Sequence, residues 1–323
     1  MSAERVTVFG GSGFIGRHIV SRLAALGYEV RVATRSPGPM PDLEPGDAKR
    51  PAGTEKTGKG GSVLPVYASV TDPASVRAAL RDCDMAVNLV SILTEPEEGA
   101  FEAVNARAPG DVARIARESG VRKLVHVSAI GASADAPSGY GRSKAQGEQN
   151  VRAHFPDARI LRPSVVFGPG DSFLTMFGLM AKVLPVLPVY SADTRLQPVY
   201  VEDVAGAAIA CLLQEDLPEE TVFELGGPDR LTMEEIMAFT ARGVGRTPRL
   251  IRVPDRLAQL QAGLFERLPG KLLTRDQLAM LSRDNVVSPD AAGLDTLGIR
   301  AQSLQDRAPD YLSKLSLLRA FRK

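Results

Sequence analysis

Val6-Thr7-Val8-Phe9-Gly10-Gly11-Ser12-Gly13-Phe14-Ile15-Gly16 carries an apolar run straight into a glycine-rich turn and then into an amphipathic segment. Lacking Cβ atoms, such a turn lets backbone N–H groups approach a pyrophosphate, whose charge then lies at the positive end of the following helix. The helix is supported by Ile15, Ile19, Leu23 and Leu26, which share one face, and by Gly27, which stands where a left-handed C-terminal cap is wanted. A second strand follows at Glu29 to Thr34 and completes a βαβ unit built to hold a dinucleotide. Gly10, Gly13, Phe14, Ile15 and Gly16 are the residues expected against the phosphates.

Cofactor choice is read at the end of that second strand. An Asp or Glu there binds a free ribose 2′-hydroxyl, whereas this chain has Ala33-Thr34-Arg35-Ser36. Arg35 can form charge-assisted hydrogen bonds with a 2′-phosphate, and Arg17 is a candidate helper. The expected cofactor is therefore NADP(H).

Composition narrows the partners. With 39 basic and 38 acidic residues the net charge is +1, so no overall field recruits nucleic acid or anionic lipid, and a partner must be met by a local patch. Two cysteines, Cys83 and Cys211, and three scattered histidines, His18, His126 and His154, predict neither a disulfide framework nor a metal site. His126, inside the apolar run Leu124 to Val127, reads as a hydrogen-bonded core residue. No signal peptide precedes the first strand and no long apolar run lacks a breaker or charge, so the expectation is an intracellular, cytoplasmic protein.

Along the chain, strands are expected at Val63 to Val66, Met85 to Leu89, Lys123 to Ser128 and Ala158 to Leu161. Helices are expected at Pro73 to Leu80, Phe101 to Ser119 and Tyr140 to Phe155. This alternation predicts an α/β fold with a Rossmann-type, doubly wound parallel sheet over residues 1–165. Residues 166–323, with short strands such as Gln197 to Val201 and Val222 to Leu225, read as a smaller C-terminal α/β lobe, some strands of which can complete the core. Ser36 to Ser62, rich in proline and glycine, reads as a flexible loop. Its Lys49, Arg50, Lys56 and Lys59 stand beside the expected 2′-phosphate site or simply in solvent.

Tyr140 and Lys144 lie four residues apart on one helix face. A phenol with a pKa near 10 is a poor acid or base at neutral pH, and a neighbouring cation lowers that pKa. Lys144 would also bind the nicotinamide ribose. Ser128, at a strand end, is a candidate donor to a substrate carbonyl, and Asn105 lies on the preceding long helix.

With these residues the chain resembles the short-chain dehydrogenase/reductase superfamily in its extended or atypical branch. The resemblance rests on the Gly10 to Gly16 turn, Asn88, Asn105, Ser128, Tyr140 and Lys144. It implies that Ser128, Tyr140 and Lys144 carry carbonyl reduction or alcohol oxidation, and that Asn88 lies in the cofactor site. Ala68-Ser69-Val70 departs from the pattern where many relatives place an adenine-binding aspartate, which leaves Ser69 and Val70 for that role.

A narrower likeness runs through Tyr140 to Glu148, Arg162 to Pro169 with Asp171, Gln197 to Val204, and Leu273-Thr274-Arg275-Asp276-Gln277. These stretches are similar to the nucleotide-binding accessory subunits of respiratory complex I and their bacterial relatives. That resemblance implies a structurally used NADPH, complex I subunits as partners, and a peripheral position at the cytoplasmic face of a bacterial inner membrane. Two features suit a partner: the apolar segment from Leu174 to Leu184, and the mixed apolar and basic stretch from Lys314 to Lys323. Each also reads blandly, as small-lobe core and as a solvated tail. A free NADP-dependent reductase, epimerase or dehydratase acting on a lipophilic or sugar-nucleotide substrate is the alternative function.

Overall fold

The structure, a computed structural model, describes residues 4–38, 61–217, 221–266 and 273–316. Most of the Ser36 to Ser62 stretch, including Lys49, Arg50, Lys56 and Lys59, lies outside the described residues, as does the end of the chain from residue 317.

The glycine turn sits where its sequence places it, between β1 (Arg5–Phe9) and α1 (Phe14–Ala25). Gly27 adopts φ +97° and closes α1, with its own N–H and that of Tyr28 donating to the Ala24 and Leu23 carbonyls. β2 (Glu29–Thr34), β3 (Ser62–Tyr67), β4 (Met85–Asn88), β5 (Lys123–Val127) and β6 (Arg159–Pro163) follow, separated by α2 (Pro73–Ala79), α3 (Ala108–Glu118) and α4 (Gly139–His154). With one later strand they form a seven-stranded sheet, every pair parallel, whose first six strands run in the order β3-β2-β1-β4-β5-β6. Alternate residues feed opposite faces. Val6, Val8, Val30, Val32, Val125 and Val127 pack with α1 on one side, while Phe9, Ala33, Ala86 and Leu124 pack with α2, α3 and the end of α4 on the other. The doubly wound arrangement is as expected.

One expected helix differs. Phe101 to Ser119 is not uniformly α-helical: Glu102–Arg107 is a π-helical turn that leads into α3. Pro109 has no N–H to give the Asn105 carbonyl, so an α-helical ladder would be broken there. The turn also leaves the Ala106 carbonyl to accept from Asn150 Nδ2 of α4 at 2.9 Å. α4 comes this near because Gly147 has no side chain: a Cβ there would overlap the Asn105 carbonyl oxygen.

The remaining chain both completes the sheet and builds the lobe. β7 (Val166–Phe167), α5 (Phe173–Val183), β8 (Val186–Val189), β9 (Arg195–Leu196) and β10 (Val199–Tyr200) lead into α6 (Val201–Leu213), which packs on α1, and β11 (Val222–Leu225), which pairs with β6. β12 (Leu231–Thr232), α7 (Met233–Gly243), β13 (Arg249–Arg252), α8 (Asp255–Phe265), α9 (Arg275–Met280) and α10 (Leu304–Leu312) follow. Here Leu174, Leu187, Val189, Ile236, Met237, Leu304 and Leu312 form a separate core. The apolar α5 segment is split: Leu174 and Ala181 are buried in that core, whereas Met176, Val183 and Leu184 are exposed.

Candidate functional site

The C-terminal ends of the parallel strands set the site. Phe9 is in register with Ala33 on β2 and Asn88 on β4, and the Gly10 N–H reaches the Ala33 carbonyl. Each glycine of the turn has its own reason. Gly10 has φ +79°, and a Cβ on Gly16 would overlap the Gly10 carbonyl oxygen and lie 2.6 Å from Gly11 Cα. A Cβ on Gly13 would meet only the Gly10 oxygen, at 3.2 Å, so this face of the turn is open. No side chain caps α1, and Gly13 itself is the N-cap. Uncapped N–H groups at Phe14, Ile15 and Gly16 beside an open cradle are what a pyrophosphate requires.

Asn88 is buried, and its Oδ1 accepts from Val90 N at 3.1 Å, turning the chain after β4 so that Leu89 and Val90 pack on Gly10. Arg35 follows β2, exposed, with no ion-pair partner among the described residues. Arg17 is already engaged: its Nη2 donates to the Pro169 carbonyl at 2.6 Å, and its guanidinium lies 5.5 Å from the Phe14 ring centroid. Ser69 is held by Ser75, whose Oγ accepts from Ser69 N at 3.0 Å, and its own hydroxyl meets Thr71 at 2.9 Å. Val70 is buried beside it.

Ser128, Tyr140, Lys144 and Asn105 come together around β5 and the loop after β4. Ser128 N donates to the Leu161 carbonyl, while its buried Oγ has no hydrogen-bond partner. Lys144 is buried and donates to the Val127 carbonyl at 2.9 Å. Burial lowers its pKa to about 8, against the opposing pull of Glu148 one turn on. Glu148 is itself clasped by Arg162 through two hydrogen bonds of 2.9 and 2.6 Å. Tyr140 packs edge-on against Phe101; burial raises its pKa, and the Ser91 side chain lowers it. The phenol lowered by Lys144 that the spacing suggests is therefore not found, because the ammonium is directed to the strand end and burial dominates.

Asn105 is fully used by the protein. Its Oδ1 accepts from Ser91 Oγ and Ile92 N, and its Nδ2 donates to the Ile92 carbonyl and Ser143 Oγ. It ties the loop after β4 to α4. His126 is a core residue, as expected, but its ring nitrogens find no well-formed partner, a correction to the hydrogen-bonded core residue expected from the strand. Burial holds it neutral, with the Lys144 charge adding to the same effect. No group of potential metal ligands occurs among the described residues.

Several contributors escaped sequence reading. Ser91 links Tyr140 to Asn105, and Asn285 ties the segment beyond α9 to the Ser128 loop by donating to the Ile130 carbonyl at 3.1 Å. Asp276 accepts from Gly139 N at 2.5 Å and Tyr140 N at 3.1 Å. Asp276 stood in a quoted motif, yet nothing local linked it to Tyr140.

An open glycine cradle at the end of β1, with a buried serine just after β5 and a half-buried tyrosine and buried lysine on α4, defines a Rossmann-type, nucleotide-binding short-chain dehydrogenase/reductase. A sequence profile of the NAD dependent epimerase/dehydratase family matches residues 6–226, and the chain belongs to that family. It is also similar, at 29% identity over 317 residues (95% of this chain, 76% of the relative), to mitochondrial NADH dehydrogenase (ubiquinone) 1 alpha subcomplex subunit 9 of Arabidopsis thaliana. A ceramide reductase of Caulobacter vibrioides is 33% identical over 260 residues, covering 77% of this chain and 74% of that one. Among solved structures, the dTDP-glucose 4,6-dehydratase DesIV from Streptomyces venezuelae, determined with NAD bound, shares the fold at a TM-score of 0.66 and 21% identity, with 96% of each chain covered.

Proposed function

We propose that this chain is an NADP(H)-holding accessory or assembly subunit of respiratory complex I, in which the nucleotide is structural. The observation that carries this reading is the extent of the likeness. The family profile ends at residue 226, whereas similarity to the complex I subunit spans 95% of the chain and so includes the lobe that adapts the fold to a particular role. The turn from Gly10 to Gly16 would hold the pyrophosphate, Arg35 the 2′-phosphate, Ser69 and Val70 the adenine side, and Lys144 the nicotinamide ribose. Asn88, through the Val90 backbone, and Asn105, through Ser91, Ile92 and Ser143, would shape this site. Among the described residues no helix is long and apolar enough to cross a membrane, so retention at the cytoplasmic face of a bacterial inner membrane would be peripheral, through a protein interface. Leu257, Leu260 and Leu264 on α8, exposed by 46%, 73% and 59%, support such an interface. Affinity purification of tagged protein from its native cell, in mild detergent, tests the reading: complex I subunits should co-purify.

A second reading is favoured by one specific observation, the buried and unpartnered Ser128 Oγ. A buried hydroxyl without a partner is costly unless a ligand supplies one. In this reading the chain is a free NADP-dependent reductase, and the ceramide reductase among its relatives supports a lipophilic carbonyl compound as substrate. A bound reduced nicotinamide supplies the hydride to the carbonyl carbon. Ser128 Oγ would donate to the carbonyl oxygen, Tyr140 would deliver the proton to it, and Lys144 would hold the nicotinamide ribose. Oxidation of added NADPH by the purified protein with long-chain ketones separates the two readings.

A further inference from the structure

We propose that Asp276 is a positioning residue that fixes the start of α4, and with it Tyr140, from the far lobe. This rests on the reading of Tyr140 as a site residue, but the geometry stands independently of which function is correct.

The first turn of any helix leaves four N–H groups without intrahelical partners. In α4 these belong to Ser138, Gly139, Tyr140 and Gly141, the first intrahelical bond running from Arg142 N to the Ser138 carbonyl at 3.2 Å, and Gly141 N is satisfied locally by Ser138 Oγ at 3.0 Å. Those of Gly139 and of Tyr140 itself are both taken by the one carboxylate of Asp276, 136 residues beyond Tyr140. A carboxylate here is favoured by charge-assisted hydrogen bonds and by the helix dipole. Gly139 lies between the two groups that flank this turn: a Cβ there would be in ordinary contact, 3.4 Å from Asp276 Oδ1 and 3.5 Å from the Phe101 ring. Phe101 closes the other side, edge-on to the Tyr140 ring at 6.2 Å.

The support behind Asp276 is ordered for the task. Thr274 and Gln277 form a reciprocal capping box that starts α9, and Leu278 is buried with Ala258 and Ala262 of α8. Thr274, Asp276 and Gln277 thus have one joint purpose: two residues fix the short helix, and the third projects its carboxylate onto the Tyr140 backbone. An error in the placement of α9 would be passed to the phenol.

The test needs neither substrate nor partner. Asp276→Ala and Asp276→Asn are compared with the unaltered protein by amide exchange and by the 13Cζ resonance of Tyr140, assigned through Tyr140→Phe. Asp276→Ala should raise exchange at Gly139 and Tyr140 tenfold or more relative to Gly141, and shift or broaden the Tyr140 resonance. Asp276→Asn, which keeps an acceptor oxygen, should restore most of both. An unmoved Tyr140 resonance in the alanine variant, or protection lost evenly along the chain, overturns the proposal. A Tyr140→Phe variant that reduces a carbonyl as fast as the unaltered protein would defeat only the reading of Tyr140 as a site residue, since neither measurement depends on it.

Discussion

The buried ammonium of Lys144 donates to the carbonyl of Val127, the residue immediately before Ser128, so the helix lysine and the strand-end serine are tied through a single backbone group. The contact places a cation where a nucleotide ribose is expected, and the fold bears the cost of burying it.

That cost leads to the first prediction. Lys144→Met keeps the stem and removes the charge, while Glu148 retains both hydrogen bonds from Arg162. The variant without nucleotide should be more stable at pH 7 by about 1–3 kcal/mol, and it should bind nucleotide more weakly. The pH dependence has a definite sign. Burial pushes the folded Lys144 down to about 8 from the ordinary lysine value of 10.5, so between those values the unfolded chain binds more protons and stability rises with pH. Lys144→Met should lose that slope, as denaturant unfolding at several pH values would register; a wild-type slope retained in the variant would refute the assignment to Lys144.

The glycine turn was legible because its chemistry is local: a strand, a run of glycines and a helix lie within one short stretch. The parallel, doubly wound sheet followed from the alternation of strands and helices. What could not be read was contact made in space. Asp276 and Asn285 act on residues more than 130 positions away, Ser91 in the loop after β4 joins Tyr140 of α4 to Asn105, and Arg17 reaches Pro169 rather than staying free for a phosphate. The π-helical turn was hidden because its cause is a proline together with the close approach of another helix, not a change in apolar period.

Two glycine variants should part structure from binding. Gly16→Ala forces a Cβ into the Gly10 carbonyl and should destabilise the protein by about 2 kcal/mol or more. Gly13→Ala meets only one oxygen at 3.2 Å, so it should fold with a near-normal Tm yet lose nucleotide affinity. Thermal melts with and without NADPH distinguish them; equal nucleotide stabilisation of Gly13→Ala and wild type would mean that the cradle is not the phosphate site.

Arg35→Ala should weaken NADPH more than NADH. Loss of one charge-assisted contact is worth about 1.5–3 kcal/mol, or about ten- to hundredfold in Kd. Arg17→Ala should do less, because its guanidinium is committed to Pro169. Equal affinities of the wild type for the two nucleotides would defeat the 2′-phosphate assignment.

Tyr140→Phe removes the hydroxyl and leaves the ring to pack on Phe101. The variant should keep its nucleotide and its fold but lose any carbonyl reduction, since proton delivery is worth about 10²–10⁴ in rate. A variant that reduces a ketone as fast as the wild type would show that another group supplies the proton.

The last prediction concerns placement. α8 presents Leu257, Leu260 and Leu264 outward while Ala258 and Ala262 face its small core. An aspartate in place of Leu260, the most exposed of the three, should therefore cost the isolated protein within about 0.5 kcal/mol. If these leucines meet complex I, Leu260→Asp should nonetheless reduce co-purification, and the wild-type association should survive moderate salt, because buried apolar contact is not screened as surface charge is. Gly13→Val, which fills the open cradle, should weaken the association too if the nucleotide is structural, whereas Tyr140→Phe should not. Quantitative mass spectrometry of detergent-solubilised membranes measures all three. Recovery of all the native protein in the soluble fraction, free of complex I subunits, would favour the free reductase and leave the leucines to its lipophilic substrate.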